Sequence, residues 1–137
     1  MPQVHYIAVV VAAVAIFIIG GLWYSPMLFA KRWVKLIGKT EEELKAAPSA
    51  PAPLMFLGAF VCGFLVSLVL AVVLNHFINM NALRGAEVGA GCWLGFAGAT
   101  SFANVIFAQK PKELWLIDSG YNLVSFVVAG VILGAWR

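Results

Sequence analysis

The chain has 137 residues, of which 63% are hydrophobic and 11% charged, with a mean hydropathy of +0.96 and a net charge of +3. Soluble domains average about 45–50% apolar and about 25% charged residues, so the composition excludes an ordinary soluble protein and points to the membrane. The positive charge does not indicate nucleic acid, because five of the nine basic residues (Lys31, Arg32, Lys35, Lys39 and Lys45) share one segment beside an apolar run.

Four apolar runs, at about residues 4–24, 54–78, 86–108 and 114–136, each reach the roughly 20 residues that a helix needs to cross some 30 Å of hydrocarbon. Helices satisfy their own backbone groups in lipid, which isolated strands cannot. The prediction is therefore an all-α membrane protein: a single domain, residues 1–137, of four transmembrane helices with one polar loop at 25–53. If the N-terminus is outside, loops 1 and 3 carry seven Lys/Arg (the five above, Lys110 and Lys112) against two outside, Arg84 and Arg137. That bias predicts an N-out, C-out topology, as expected for a multi-pass protein of the bacterial inner membrane. No basic residue precedes the first run, and Gly20-Gly21-Leu22-Trp23-Tyr24 is not a small-residue cleavage site, so the run is read as a helix and not as a signal peptide.

Span 1 ends at Trp23-Tyr24, whose amphipathic rings suit the headgroup level. Ser25-Pro26 reads as an N-cap and first helical residue. Beyond it, Phe29, Trp33, Leu36 and Ile37 share one helical face, while Lys31, Arg32, Lys35 and Lys39 occupy the other. This pattern predicts an in-plane amphipathic helix on the cytoplasmic surface, with Lys31, Arg32, Trp33 and Lys35 against lipid. Thr40 and Glu43 have capping-box spacing for a short helix to about Ala47, followed by an extended connector, Pro48-Ser49-Ala50-Pro51-Ala52-Pro53.

Span 2 ends near Asn75-His76, and His5 begins span 1 on the same side; two imidazoles without a nearby carboxylate or thiol do not make a metal site, so neither a metal nor a cofactor is expected. Cys62 and Cys92 differ in depth by roughly 12 Å at helical rise, too far for a disulfide, and read as small buried apolar residues. Gly91-xxx-Gly95 in span 3 and Gly130-xxx-Gly134 in span 4 predict close helix packing, within the chain or between chains.

The last span holds Asp118, a carboxylate within an apolar run and hence a candidate functional residue. Spans 3 and 4 are joined only by residues 109–113, which predicts an antiparallel hairpin folded near Pro111. Asn104 and Asp118 each lie seven residues from Pro111, and Thr100 and Asn122 each lie eleven away. Matching depths predict a polar ladder in which Asp118 meets Asn104 and Asn122 meets Thr100. Such a ladder either packs two helices or lines a cytoplasm-facing pocket with Trp23, Tyr24, Ser25 and Tyr121.

Gly21-Leu22-Trp23-Tyr24-Ser25-Pro26, Leu28-Phe29, Lys31-xxx-Lys35, Leu116-Ile117-Asp118-Ser119-Gly120-Tyr121-Asn122-Leu123-Val124-Ser125 and the ending Gly134-Ala135-Trp136-Arg137 resemble domain-of-unknown-function family 1761. The resemblance covers essentially the whole chain and implies a small bacterial four-helix membrane protein, with no activity to carry over. It also implies that Asn is common at the position of Asp118, and His or Gln at that of Asn122, so a carboxylate is not a general requirement of the family.

No His-x-x-x-His, Gly-x-Ser-x-Gly or Cys-x-x-Cys occurs, and Asp118 lacks an evident second acid, base or nucleophile; an enzyme is not expected. The expected function is a small transport or ligand-binding module with a cytoplasm-facing polar pocket. The alternative is a structural or accessory subunit of a membrane assembly. Expected partners are membrane lipids and a second copy or another membrane protein.

Overall fold

In the computed structural model, the residues described are 4–25, 27–37 and 52–136. Every apolar run becomes a helix: α1 is Tyr6–Trp23, α2 Ala30–Leu36, α3 Ala52–Leu74, α4 Ala82–Ala108 and α5 Lys112–Ala135. No strand occurs among the described residues. Four of these helices, α1, α3, α4 and α5, are long and apolar enough to span a membrane. The short helix and proline connector expected within 40–53 lie outside the described residues up to Pro51, and Ala52 already opens α3.

Local polar groups fix the helix ends and correct several expected limits. His5 caps α1, its Nδ1 accepting from the Ala8 amide at 3.3 Å, and its ring lies 5.5 Å from that of Trp136. This cap satisfies one of the amides that the first helical turn leaves open. Helix α3 stops at Leu74, short of the expected Ile78. The chain then turns through Asn79, whose φ of 58° is left-handed backbone that asparagine tolerates. Asn81 accepts from the Arg84 amide at 2.9 Å and so starts α4 at Ala82, before the expected residue 86. The Arg84 guanidinium donates to the Ile78 and Asn79 carbonyls, closing that loop.

Helix α5 is the centre of the bundle, in contact with each of the other four helices. Its Ala129 and Leu133 join Ala8, Val9, Ala12 and Ile16 of α1 and Leu70, Ala71 and Leu74 of α3 in one buried cluster. The alanines at 8, 12 and 129 leave little side chain between backbones, so the helices gain van der Waals contact that lipid does not supply. Cys92 is half-buried, whereas Cys62 faces outward and is not the buried residue expected; both thiols are free.

Helix α4 docks on α5 through glycine. A Cβ added to Gly85 would overlap the Gly130 carbonyl, and one added to Gly130 would overlap that of Gly85. Gly89 and Gly134 sit equally close to the backbone at Phe126 and Asn81. The Gly130-xxx-Gly134 expectation therefore holds, but its partner is Gly85-xxx-Gly89. Gly91 and Gly95 face open space.

A π-helical turn at Trp93–Gly98 then changes the face that α4 presents. Continued in α spacing, the contact line 85, 89, 93 would run to 97, 100 and 104, the positions of the expected ladder. The π turn inserts one residue and carries the line from Trp93 to buried Gly98 and on to Ser101. Thr100 and Asn104 are consequently exposed. Depth counting from Pro111 fixes axial position but not rotation about the axis, and rotation is what the extra residue alters.

Candidate functional site

The carboxyl end of α1 folds onto the first half of α5. The Trp23 indole donates through Nε1 to the Ile117 carbonyl at 2.9 Å, and Tyr24 donates its phenolic proton to Asp118 Oδ1 at 2.6 Å. One turn further along α5, the Tyr121 hydroxyl donates to the Ile16 carbonyl at 3.1 Å. Two glycines make room for these rings: a Cβ on Gly120 would lie 3.2 Å from Trp23 Cζ2, and one on Gly20 would lie 2.9 Å from the Tyr121 hydroxyl. Tyr24 and Tyr121 meet edge to face with ring centroids 5.6 Å apart, an arrangement favoured by the aromatic quadrupole.

Ser25 does not cap the next helix. Its hydroxyl donates back to the Leu22 carbonyl at 2.6 Å, and its own carbonyl accepts from the Leu28 and Ala30 amides. The chain passes through these turns before helix resumes at Ala30, four residues beyond the expected start. Phe29 packs on Trp23, and Trp33 packs on Tyr24 with centroids 5.9 Å apart. Trp33 is thus half-buried against the site and not simply a lipid-surface residue, while Lys31, Arg32 and Lys35 are exposed. Arg32 forks onto both carboxylate oxygens of Glu113, fastening α2 to the start of α5. That hydrogen-bonded carboxylate holds the guanidinium above its usual pKa.

Between α1, α2 and α5 this corner leaves a partly open cavity of about 400 Å³ lined by Tyr24, Ala30, Trp33, Val34 and Asp118. On the other side of Tyr24, a cavity of about 490 Å³ is lined by Phe17, Gly20, Gly21, Tyr24, Phe56, Ala59 and Tyr121. Tyr24 therefore stands between two spaces. Its phenol, protonated at neutral pH as tyrosine ordinarily is, serves as the donor to Asp118. Oδ2 of Asp118 has no hydrogen-bond partner among the described residues.

Of the residues expected at one pocket, Tyr24 and Asp118 line the first cavity, and Tyr121 joins Tyr24 along the second. Trp23 positions α5 from outside both. Asn122 is half-buried and lines neither cavity, while Thr100 and Asn104 lie on the exposed face of α4 and form no rung with Asp118 or Asn122. The polar contact between α4 and α5 is instead a serine pair: Ser101 and Ser119 hydroxyls 3.0 Å apart, with Trp115 Nε1 donating to Ser101 at 2.9 Å and Trp93 Nε1 donating to the Ser119 carbonyl at 3.0 Å. Spacing did not reveal this pair, because the π turn displaces it by one residue. Trp33 was marked by its place on the apolar face with Phe29.

The described residues hold no group of three His, Cys, Asp or Glu side chains that could bind a metal ion. Chemically, the corner offers one carboxylate with an oxygen unpartnered among the described residues, one phenol donor and aromatic walls.

Comparison with known proteins bears out the expected family. No curated protein and no solved structure matches the chain. A family profile described as "Protein of unknown function (DUF1761)" matches residues 7–134, which take in both the Trp23-Tyr24 corner and the Asp118 segment. The match extends over nearly the whole chain, and the protein belongs to the DUF1761 family.

Proposed function

We propose that the protein is a small transport or ligand-binding module of the bacterial inner membrane, with its binding site at Tyr24 and Asp118. One observation carries this reading: Asp118 spends one oxygen on Tyr24, and the other, without a partner among the described residues, lies beside a cavity of about 400 Å³. That volume is within the roughly 300–1,000 Å³ typical of ligand pockets. A carboxylate in a membrane helix is costly to keep, and such groups generally mark solute or ion pathways. The seven-to-two distribution of Lys and Arg supports an N-out, C-out orientation, in which this corner opens to the cytoplasm. In that orientation Lys31, Arg32 and Lys35 meet anionic headgroups, and α2 roofs the cavity at the membrane surface. Tyr24, between two cavities, is the side chain whose movement would join them. We read the site as one for binding: its lining pairs Asp118 with the Tyr24 phenol and otherwise consists of Ala30, Trp33 and Val34.

A thermal-shift screen of the purified protein against cationic, neutral and anionic small solutes tests this reading, with Asp118→Asn and Tyr24→Phe in parallel. At least one solute class should stabilise the wild type and lose its effect in both variants, and its flux should then be measured in proteoliposomes. If no solute distinguishes the wild type from the variants, the reading fails.

The exposed face of α4 favours a second role, as a subunit of a membrane assembly. Gly91 and Gly95 meet nothing within 4 Å, and Thr100 and Asn104 are polar side chains on the outer surface of a span. Small residues and interhelical hydrogen bonds are what helix association in lipid uses. Native mass spectrometry from mild detergent that returned only monomer under every condition would count against this role.

A further inference from the structure

We infer that the cavity beside Asp118 binds an organic cation of the alkylammonium class; the inference rests on the reading of this cavity as a ligand site and names what the site takes. Three observations converge on it.

The charge at the site is unbalanced. Asp118 makes no salt bridge among the described residues, and its partner Tyr24 is a neutral phenol. Of the basic side chains on α2, Arg32 is committed to Glu113 through both of its donating nitrogens, Lys35 acts electrostatically on that same glutamate, and Lys31 is exposed. A carboxylate without a counter-charge among the described residues favours a cationic occupant, because an anion would be repelled and a neutral solute would leave the charge unmatched.

The walls suit a particular kind of cation. Besides Asp118, the lining is Tyr24, Trp33, Ala30 and Val34. Two electron-rich rings next to one carboxylate attract an ammonium group through their quadrupoles, and the methyl-bearing surface of a substituted ammonium packs against Ala30 and Val34. A bare metal ion is a poor fit, because it requires several oxygen or nitrogen ligands and the site supplies one carboxylate. The volume, about 400 Å³, accommodates a small organic molecule with room to spare.

The test uses choline and its neutral isostere 3,3-dimethylbutan-1-ol, which replaces the quaternary nitrogen with carbon and keeps the shape. Each is titrated into the full-length protein in lipid nanodiscs, read by isothermal calorimetry and tryptophan fluorescence. Choline should bind at least about tenfold more tightly than the isostere; Asp118→Asn should abolish that preference, Asp118→Glu should retain part of it, and Trp33→Leu should weaken choline about threefold or more. Unchanged helical circular dichroism in each variant separates lost binding from lost folding. Equal binding of choline and the isostere, unaffected by Asp118→Asn, would overturn the cation assignment and leave the ligand-site reading standing. Absence of binding by either compound would overturn the assignment together with the reading beneath it.

Discussion

Tyr24 and Asp118, 94 positions apart in sequence, are joined by a 2.6 Å hydrogen bond that closes the end of α1 onto the first half of α5. The bond joins the Trp23-Tyr24 corner to the Asp118 segment, beside the contacts of Trp23 with Ile117 and of Tyr121 with Ile16. It also leaves half of the carboxylate facing a cavity.

If this bond couples the helices, a double-mutant cycle between Tyr24→Phe and Asp118→Asn should return an interaction energy of about 1–2 kcal/mol, between the average for neutral membrane hydrogen bonds and the value for charge-assisted ones. The parallel cycle between Asn104→Ala and Asp118→Asn should be additive within about 0.5 kcal/mol. Reversible unfolding in mixed micelles measures both. Coupling in the second cycle and none in the first would restore the ladder arrangement.

The glycine contact between α4 and α5 predicts a sharp contrast among chemically identical substitutions. Gly85→Ala or Gly130→Ala drives a methyl group into the facing carbonyl and should cost about 2–3 kcal/mol or prevent folding, as overpacking of a closed interface does. Gly91→Ala meets open space and, by removing helix-interior glycine, should be neutral or slightly stabilising in the monomer. Thermal unfolding of the three variants decides the matter.

A similar contrast tests the π turn. Ser101→Ala removes the acceptor of Trp115 and the partner of Ser119, and should destabilise by about 1 kcal/mol. Thr100→Ala, one residue away on the exposed face, should leave monomer stability unchanged. A reversed order would mean that α4 keeps α spacing through Trp93–Gly98.

Ser67 in α3 is fully buried, and its hydroxyl has no hydrogen-bond partner among the described residues. Leaving such a group unsatisfied costs about 1–3 kcal/mol, so Ser67→Ala, which keeps the packing and deletes the hydroxyl, should raise the unfolding midpoint. A fall in the midpoint would show that the hydroxyl has a partner in solution, such as an ordered water.

Much of this architecture was legible in the residues because it depends on length and polarity alone. Four apolar runs of spanning length can only be helices in lipid, and the isolation of Asp118 within one of them marks it before any contact is known. Rotation about the helix axes was not legible. Counting from Pro111 gave Asn104 and Asp118 a common depth, yet the π turn points Asn104 outward and leaves Asp118 to Tyr24. Gly91 and Gly95 have the spacing of a packing motif, as Gly85 and Gly89 do; only the crossing point with Gly130 selects between them. For Trp33, periodicity identified the apolar face it belongs to, and the fold supplied Tyr24 as what that face meets.

If the cavity beside Asp118 is a solvent-accessible binding site open on one side only, a thiol placed in its wall will report it. Val34 lines the cavity without bonding to Asp118 or Tyr24. A Val34→Cys variant carrying Cys62→Ala and Cys92→Ala should react with a membrane-impermeant maleimide in inside-out vesicles and not in right-side-out vesicles, and reaction should slow when a bound solute fills the site. Failure to label from either side, or labelling only from outside, would contradict a cytoplasm-facing pocket at Asp118.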